Sequence, residues 1–238
     1  DRLEKIMNDV RTQLELSDID KDEVIRYLGY GNSKPDENMM KLLDECEKQV
    51  LECARARFVY KVFDIDKEQE PDKIIVKNTN IKLTGNSIKK HLKDCDKAVF
   101  MAVTISEGID RLIRIAKVKD IAQAVVIDSM ASAAVEQACN RAEQVIKEEY
   151  PDMYQTFRFG LGYGDLPIEL QADFLRVLNA SKIIGLGVNS SSMLIPTKSV
   201  TAIIGLSEHE IKGQARGCQT CSMSKKCQFR QRGGHCNG

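Results

Sequence analysis

Two groups of residues in this chain have the types and spacing to do chemistry. Cys218, Cys221, Cys227 and Cys236 follow the pattern C-x2-C-x5-C-x8-C and account for half of the eight cysteines among 238 residues. The residues between them are Lys, Arg, Gly and polar types that build no core. Four thiolates so placed suit either a structural zinc ion or a [4Fe-4S] cluster. The single C-x2-C knuckle is half of what a zinc ribbon uses, and the longer gaps suit a cluster wrapped by an irregular loop at least as well. His235 adds a nitrogen beside Cys236. The second group is RFGLGYGDLP, residues 158 to 167, where Gly160, Gly162 and Gly164 alternate behind Arg158. The register is G-x-G-x-G and Pro167 delays the following helix, so the dinucleotide fingerprint fails. What survives is an open main chain for a ligand to approach and a guanidinium fork suited to a carboxylate. A surface arginine beside a tight turn is the plainer alternative.

The elements that must position these residues sit in a chain with zero formal net charge, 42% hydrophobic and 29% charged. That balance supports a full core and gives no case for a nucleic-acid or membrane partner. The neutrality hides an asymmetry. From residue 211 onward there are six cations (Lys212, Arg216, Lys225, Lys226, Arg230, Arg232) and no Asp or Glu. We therefore divide the chain into a domain over residues 1–210 and a cysteine-rich, metal-binding tail over 211–238. No apolar run reaches membrane-span length, and DRLEKIMNDV lacks the apolar stretch of a signal peptide, so the reading is cytoplasmic. In that reducing setting a disulfide framework is not expected, and Cys46, Cys53, Cys95 and Cys139 read as small buried thiols.

Hydrophobic periodicity predicts a short helix over 21–28 ending at Gly29, and a stronger one over 33–55 with Met39, Leu42, Leu43, Cys46, Val50 and Leu51 at three-and-four spacing. Strands are predicted over 58–65, 72–78 and 81–85, then a short helix over 86–92. KAVFMAVTI (97–105) is a continuous apolar run expected to be buried on both faces. Two helices follow, over 108–116 and over about thirty residues to Tyr150, the second carrying the small-residue stretch SMASAAVEQAC. After the glycine loop come a helix over 168–179, a strand over 183–189, the loop SSSMLIPTK and a strand over 199–207. Without strict β-α-β alternation, the fold class is α+β with a mostly antiparallel twisted sheet.

The segment RFGLGYGDLPIELQADFLRVLNASKIIGLGVNSSSMLIPTKSVTAIIGLS resembles the C-terminal activation (reactivation) domain of cobalamin-dependent methionine synthase. The matching positions are Arg158, Gly162 and Tyr163 of R-x-x-x-G-Y, then Met193, Pro196, Ser199 and Val200. SMASAAVEQAC looks like that family's long helix, with Glu136 facing the ligand cleft. The likeness spans roughly residues 20 to 207 and is closest to stand-alone bacterial relatives of the domain. It implies S-adenosylmethionine binding and reductive methylation of cob(II)alamin carried by a corrinoid protein. Arg158 would then hold the ligand carboxylate, Gly160 and Gly162 would present backbone to the adenosine, and Glu136 would meet the cationic end. Tyr163 would face the corrin, in a catalytic position. The family's N-terminal acidic contact falls at Asp20 or Asp22. The tyrosine-bearing segment that covers the ligand in the family is replaced here by SEHEIKGQARGC. A Cys-ligated cluster reaches potentials near about −400 mV, so an iron-sulfur tail would relay the electron such a reaction needs, and its cations would dock an acidic redox donor. A non-catalytic corrinoid-docking module or chaperone with a zinc tail is the alternative.

Overall fold

A computed structural model describes residues 10–31, 33–70 and 72–211. The tail cysteines Cys218, Cys221, Cys227 and Cys236 lie outside the described residues.

The centre is an antiparallel sheet. Strand β1 (Val10–Leu14) precedes helices α1 (Lys21–Tyr27) and α2 (Glu37–Cys53), and β2 (Ala56–Asp66), β3 (Lys73–Val76) and β4 (Lys82–Thr84) follow. Next come α3 (Asn86–His91), β5 (Lys97–Thr104), α4 (Glu107–Lys119) and the long helix α5 (Ile121–Glu149). Short strands β6 (Tyr154–Gln155) and β7 (Phe159–Gly160) lead through a 3-10 turn (Ile168–Leu170) to α6 (Gln171–Leu178) and α7 (Ala180–Ile184). A ribbon of β8 (Gly187–Val188) and β9 (Leu194–Ile195) precedes β10 (Ser199–Ser207). The sheet runs β4-β3-β2-β5-β10-β6, with β1 added on β2 and β7 on β10.

Side-chain alternation along β5 splits the core in two. Val99, Met101 and Val103 join the face covered by α1, α2, α4 and α5. Ala98, Phe100 and Ala102 join the opposite face, where Phe100 stacks on Phe174 of α6 at 4.4 Å between centroids. β5 is therefore buried on both sides, as its unbroken apolar run requires. α5 packs on the sheet through Ala131, Ala134, Ala138 and Ala142, all buried. Their small volume brings the helix backbone close to the strands, which accounts for the small-residue stretch by packing. Among the described residues no helix is long and apolar enough to cross a membrane.

One expected strand is corrected. Residues 183–189 hold the end of α7 and only Gly187–Val188 as strand. Asn179 (φ 54°) and Gly185 (φ 71°) are left-handed at both ends of α7, and Ala180 and Ile184 bury at helical i, i+4 spacing. The Ile-Ile pair belongs to a helix face.

The buried thiols and Tyr27 give the fold an alkaline limit. Burial pushes the Cys46 thiol from 9.0 up to about 11 and the Cys95 thiol up to about 12. Burial, with help from the Glu23 carboxylate, pushes Tyr27 up to about 12. Each group keeps its proton in the folded chain to a higher pH than in the unfolded chain. Their contribution is thus full below the unfolded values and is lost as pH rises through the folded ones. Urea midpoints should fall steadily as pH rises from about 9 toward 11, each thiol adding at most about 1.4 kcal/mol per pH unit. Cys95→Ala should flatten the slope, and an unchanged slope would remove Cys95 as a source.

Candidate functional site

Helical spacing on α5 builds one wall of the site. Glu136, Asn140 and Glu143 stand at i, i+4 and i+7, so they share one face of the helix. Opposite them, β7 pairs with β10 at Gly160–Ala202 and Phe159–Ile203, which fixes Arg158 just ahead of the strand. The guanidinium engages all three. Arg158 Nη1 donates to Asn140 Oδ1 at 2.7 Å and to Glu143 Oε1, and Nη2 donates to Glu136 Oε2. The Arg158 and Glu143 side chains are only 17% and 20% exposed, whereas Glu136 is 41% exposed and the freer of the two carboxylates. Burial works against the Arg158 charge, but Glu143 foremost more than offsets it, and the guanidinium is held still more firmly protonated than usual. Cys139 lies beneath the same face, fully buried; burial drives its thiol far above the ordinary range, which makes it a packing group.

The loop after Arg158 is tied down at its far end. The Asp165 carboxylate accepts from the main-chain N–H of Asn86 (2.6 Å) and Ser87 (2.9 Å), and these bonds hold it below the usual carboxylate range. Between the anchors, Gly162 (φ 81°) and Gly164 (φ 61°) take left-handed conformations. A side chain on Gly162 would come within 2.7 Å of Ile168, and one on Gly164 within 2.6 Å of Ser87. Both glycines therefore serve the loop's own packing. Gly160 differs, because a Cβ there meets nothing closer than the Thr201 carbonyl at 3.9 Å. Tyr163 is 45% exposed and stands edge-on to Phe159, 5.3 Å between centroids.

Two clefts flank the Arg158 cluster along α5. One, about 470 Å³, is lined by Tyr27, Asp128, Ser132, Glu136, Lys198 and Ser199 among others. Lys198 spans its floor, donating to Ser132 Oγ (2.9 Å) and to the Asp128 carbonyl (3.0 Å) and pairing with the Asp128 carboxylate at 3.0 Å. Asp110 clamps the neighbouring Thr197, accepting from its N–H at 2.9 Å and from its hydroxyl. The other cleft, about 740 Å³, is lined by Asn140, Glu143 and Lys147 of α5 and by Asp152 to Thr156. Glu136 thus belongs to one cleft, Asn140 and Glu143 to the other, and Arg158 holds them together.

Arg158 and Glu136, 22 residues apart in the chain, are brought together, with Gly160, Gly162 and Tyr163 on the adjoining loop. Asp20 caps α1, accepting from Asp22 N at 3.0 Å and Glu23 N at 3.1 Å, and its own N–H is held by Gln137 of α5 at 2.9 Å. Of the matched positions near β10, Ser199 lines the smaller cleft, while Met193 lies 61% exposed at the ribbon turn. Asn140, Glu143, Tyr27 and Lys198 were not foreseen. For the first two a signal existed in their helical spacing from Glu136.

No protein-family model matches the chain, and no curated protein matches it. Among solved structures, the crystal structure of the MetH reactivation domain bound to AdoHcy superposes with a TM-score of 0.57. The match covers 95% of this chain and 86% of that one at 14% sequence identity. The chain has the α+β fold of that domain, and at this identity the fold is what the two share.

Proposed function

We propose that the chain binds S-adenosylmethionine and supports reductive methylation of the corrinoid of a partner protein. The observation that carries this reading is the pairing of Arg158 with Glu136 in a fold shared, over nearly the whole chain, with a domain crystallised with S-adenosylhomocysteine. The amino-acid end of S-adenosylmethionine is a zwitterion, and this pair offers the complementary charges. A ligand carboxylate replaces Glu136 on the Arg158 fork, the displaced Glu136 meets the ammonium or sulfonium, and charge stays balanced throughout. Glu143 and Asn140 keep the guanidinium oriented during the exchange, and Glu136, the more exposed of the two carboxylates, is the one that swings. Gly160 supports the reading because the chain's own packing gives no reason for a missing side chain there. In this arrangement Gly160 and Gly162 present backbone to the adenosine, and Tyr163, projecting from the loop, covers the corrin side. The corrinoid, carried by the partner, supplies the chemistry: one electron from a reductant together with the methyl group broken from the sulfonium restores its methylated form, with S-adenosylhomocysteine leaving. The residues of this chain bind, orient and exclude water.

The tail Cys218, Cys221, Cys227 and Cys236 would hold the metal, as a [4Fe-4S] electron relay or as zinc. Anaerobically purified protein should be brown with about four irons per chain in the first case, and colourless with one zinc in the second. Titration calorimetry with S-adenosylmethionine, alone and with a cob(II)alamin-loaded corrinoid protein, tests the main reading. Absence of binding in both settings would sink it.

One observation favours a second reading, a docking module that never takes the ligand. Arg158 already has three acceptors from α5, which is what a purely structural arginine fixing β7 to the helix would have. The same calorimetry separates the two.

A further inference from the structure

The corner where α4 meets α5 exposes an apolar cluster with a cationic rim. Val118 is 86% exposed, Ile121 69%, Val125 53% and Ile115 43%, values that no side chain fulfilling a core role would have. Helical geometry explains the arrangement. α4 buries Ile109, Ile113 and Ala116, so Arg111, Arg114, Ile115 and Val118 fall on its outward face, with Lys117 and Lys119 at the flanks. Among the described residues none of these four cations is held by a carboxylate. Asp120, the acid at the corner, is spent on capping α5, accepting from Ala122 N at 2.9 Å and Gln123 N at 3.2 Å.

On α5 the outward stripe continues as Ile121, Val125, Asp128, Ser132 and Glu136, spaced 4, 3, 4 and 4. Its first two members belong to the exposed corner and its last three line the cleft that contains Glu136. One continuous surface therefore leads from the apolar corner to the proposed methyl-donor site.

We propose that this corner is the docking surface for the corrinoid-carrying protein, gripped through an apolar contact centred on Val118 and Ile121 and an acidic surface facing Arg111, Arg114, Lys117 and Lys119. The proposal rests on the reading under Proposed function for the partner's identity. Charge selects among occupants. A two-fold contact of the corner with itself would set cations against cations, and the chain's own tail carries six cations and no acid from residue 211 onward.

The test uses the full chain against each corrinoid-binding protein of its own genome, purified and loaded with cob(II)alamin, with affinity measured at low and high salt. Wild type should bind one of them. Val118→Glu with Ile121→Glu should weaken that complex at least tenfold, and Lys117→Glu with Lys119→Glu should weaken it similarly and flatten its salt dependence. S-adenosylmethionine binding should be unchanged in both variants. Patch variants that bind the corrinoid protein like wild type overturn the docking surface and leave the activase reading standing. Failure of wild type to bind any of the corrinoid proteins removes both. A wild-type dimer that the patch variants dissolve, or wild-type uptake by phosphatidylserine-containing vesicles that they abolish, also overturns the proposal, because the corner then has another occupant.

Discussion

An Arg158→Met protein is expected to fold, to unfold about 2 kcal/mol more easily than wild type, and to lose S-adenosylmethionine affinity about thirtyfold or more. The stability loss follows from what remains behind. Glu136 and Glu143 would face each other across the vacated position with no cation, and Asn140 would lose its donor. Breaking a fully buried ion pair costs about 3–5 kcal/mol. The partial exposure of all three side chains places this case lower. The affinity loss has a separate origin, the missing fork for the ligand carboxylate, and the two effects are separable. Adding Glu143→Gln to Arg158→Met should recover part of the stability by removing one of the repelling charges, while leaving the ligand unbound. Arg158→Lys should keep most of the stability, because a point charge still neutralises the carboxylates, yet bind the ligand poorly, because an ammonium cannot hold Asn140, Glu143 and a ligand carboxylate in the fixed planar directions of a guanidinium. Chemical denaturation and calorimetry on the same samples read both quantities. An Arg158→Lys protein that binds as tightly as wild type would show that charge alone matters, and an Arg158→Met protein that still binds would leave the cluster as a structural clamp.

The parts of this architecture that the sequence revealed are those whose pattern is long. The run from Lys97 to Thr104 announced a strand buried on both faces, and the three-and-four spacing of Met39, Leu42, Leu43, Cys46, Val50 and Leu51 announced a helix with one buried face. Short elements carried no such signal. β6 and β7 are two residues each and exist because β10 offers them a free edge, which is a property of the sheet rather than of Tyr154 or Phe159. α7 was misread because Ile183 and Ile184 look like a strand core when the left-handed positions of Asn179 and Gly185 are not known. The site shows the same division. Arg158 and Glu136 stood out by type and by resemblance, but their direct pairing depends on how β7 sits over α5. Glu143 and Asn140 were written on the same helix face as Glu136, at spacings of seven and four. What hid them was that any long helix presents several such polar stripes, and only the arrival of a cation from another element selects one. The corner of Ile115, Val118, Ile121 and Val125 was likewise invisible, because apolar residues at helical spacing are expected to be buried and only the packed structure shows which are not.

The glycines of the loop supply the last discrimination, since two neighbours should fail in opposite ways. Gly162→Ala is expected to cost about 2 kcal/mol of stability. A side chain at φ 81° sits in the left-handed region, at about 1–2 kcal/mol, and its Cβ would lie 2.7 Å from Ile168 Cδ1 and 3.3 Å from Ile168 Cβ. The end of the isoleucine can rotate away but its Cβ, held by the 3-10 turn, cannot, so relief is partial. Gly160→Ala should leave stability within about 0.5 kcal/mol of wild type, because the residue lies in a strand with its nearest prospective contact at 3.9 Å. Alanine in an extended segment also restricts the unfolded chain more than glycine does. If the main chain at Gly160 is where the adenosine of the ligand approaches, that same alanine blocks it, and affinity should fall at least tenfold with the fold intact. The informative result is therefore a stable protein that no longer binds. A Gly160→Ala chain that binds normally would take this strand out of the ligand site and shift the search to the cleft beside Lys147. A Gly160→Ala chain that unfolds as easily as Gly162→Ala would mean that the strand's packing, and not a ligand, requires the missing side chain.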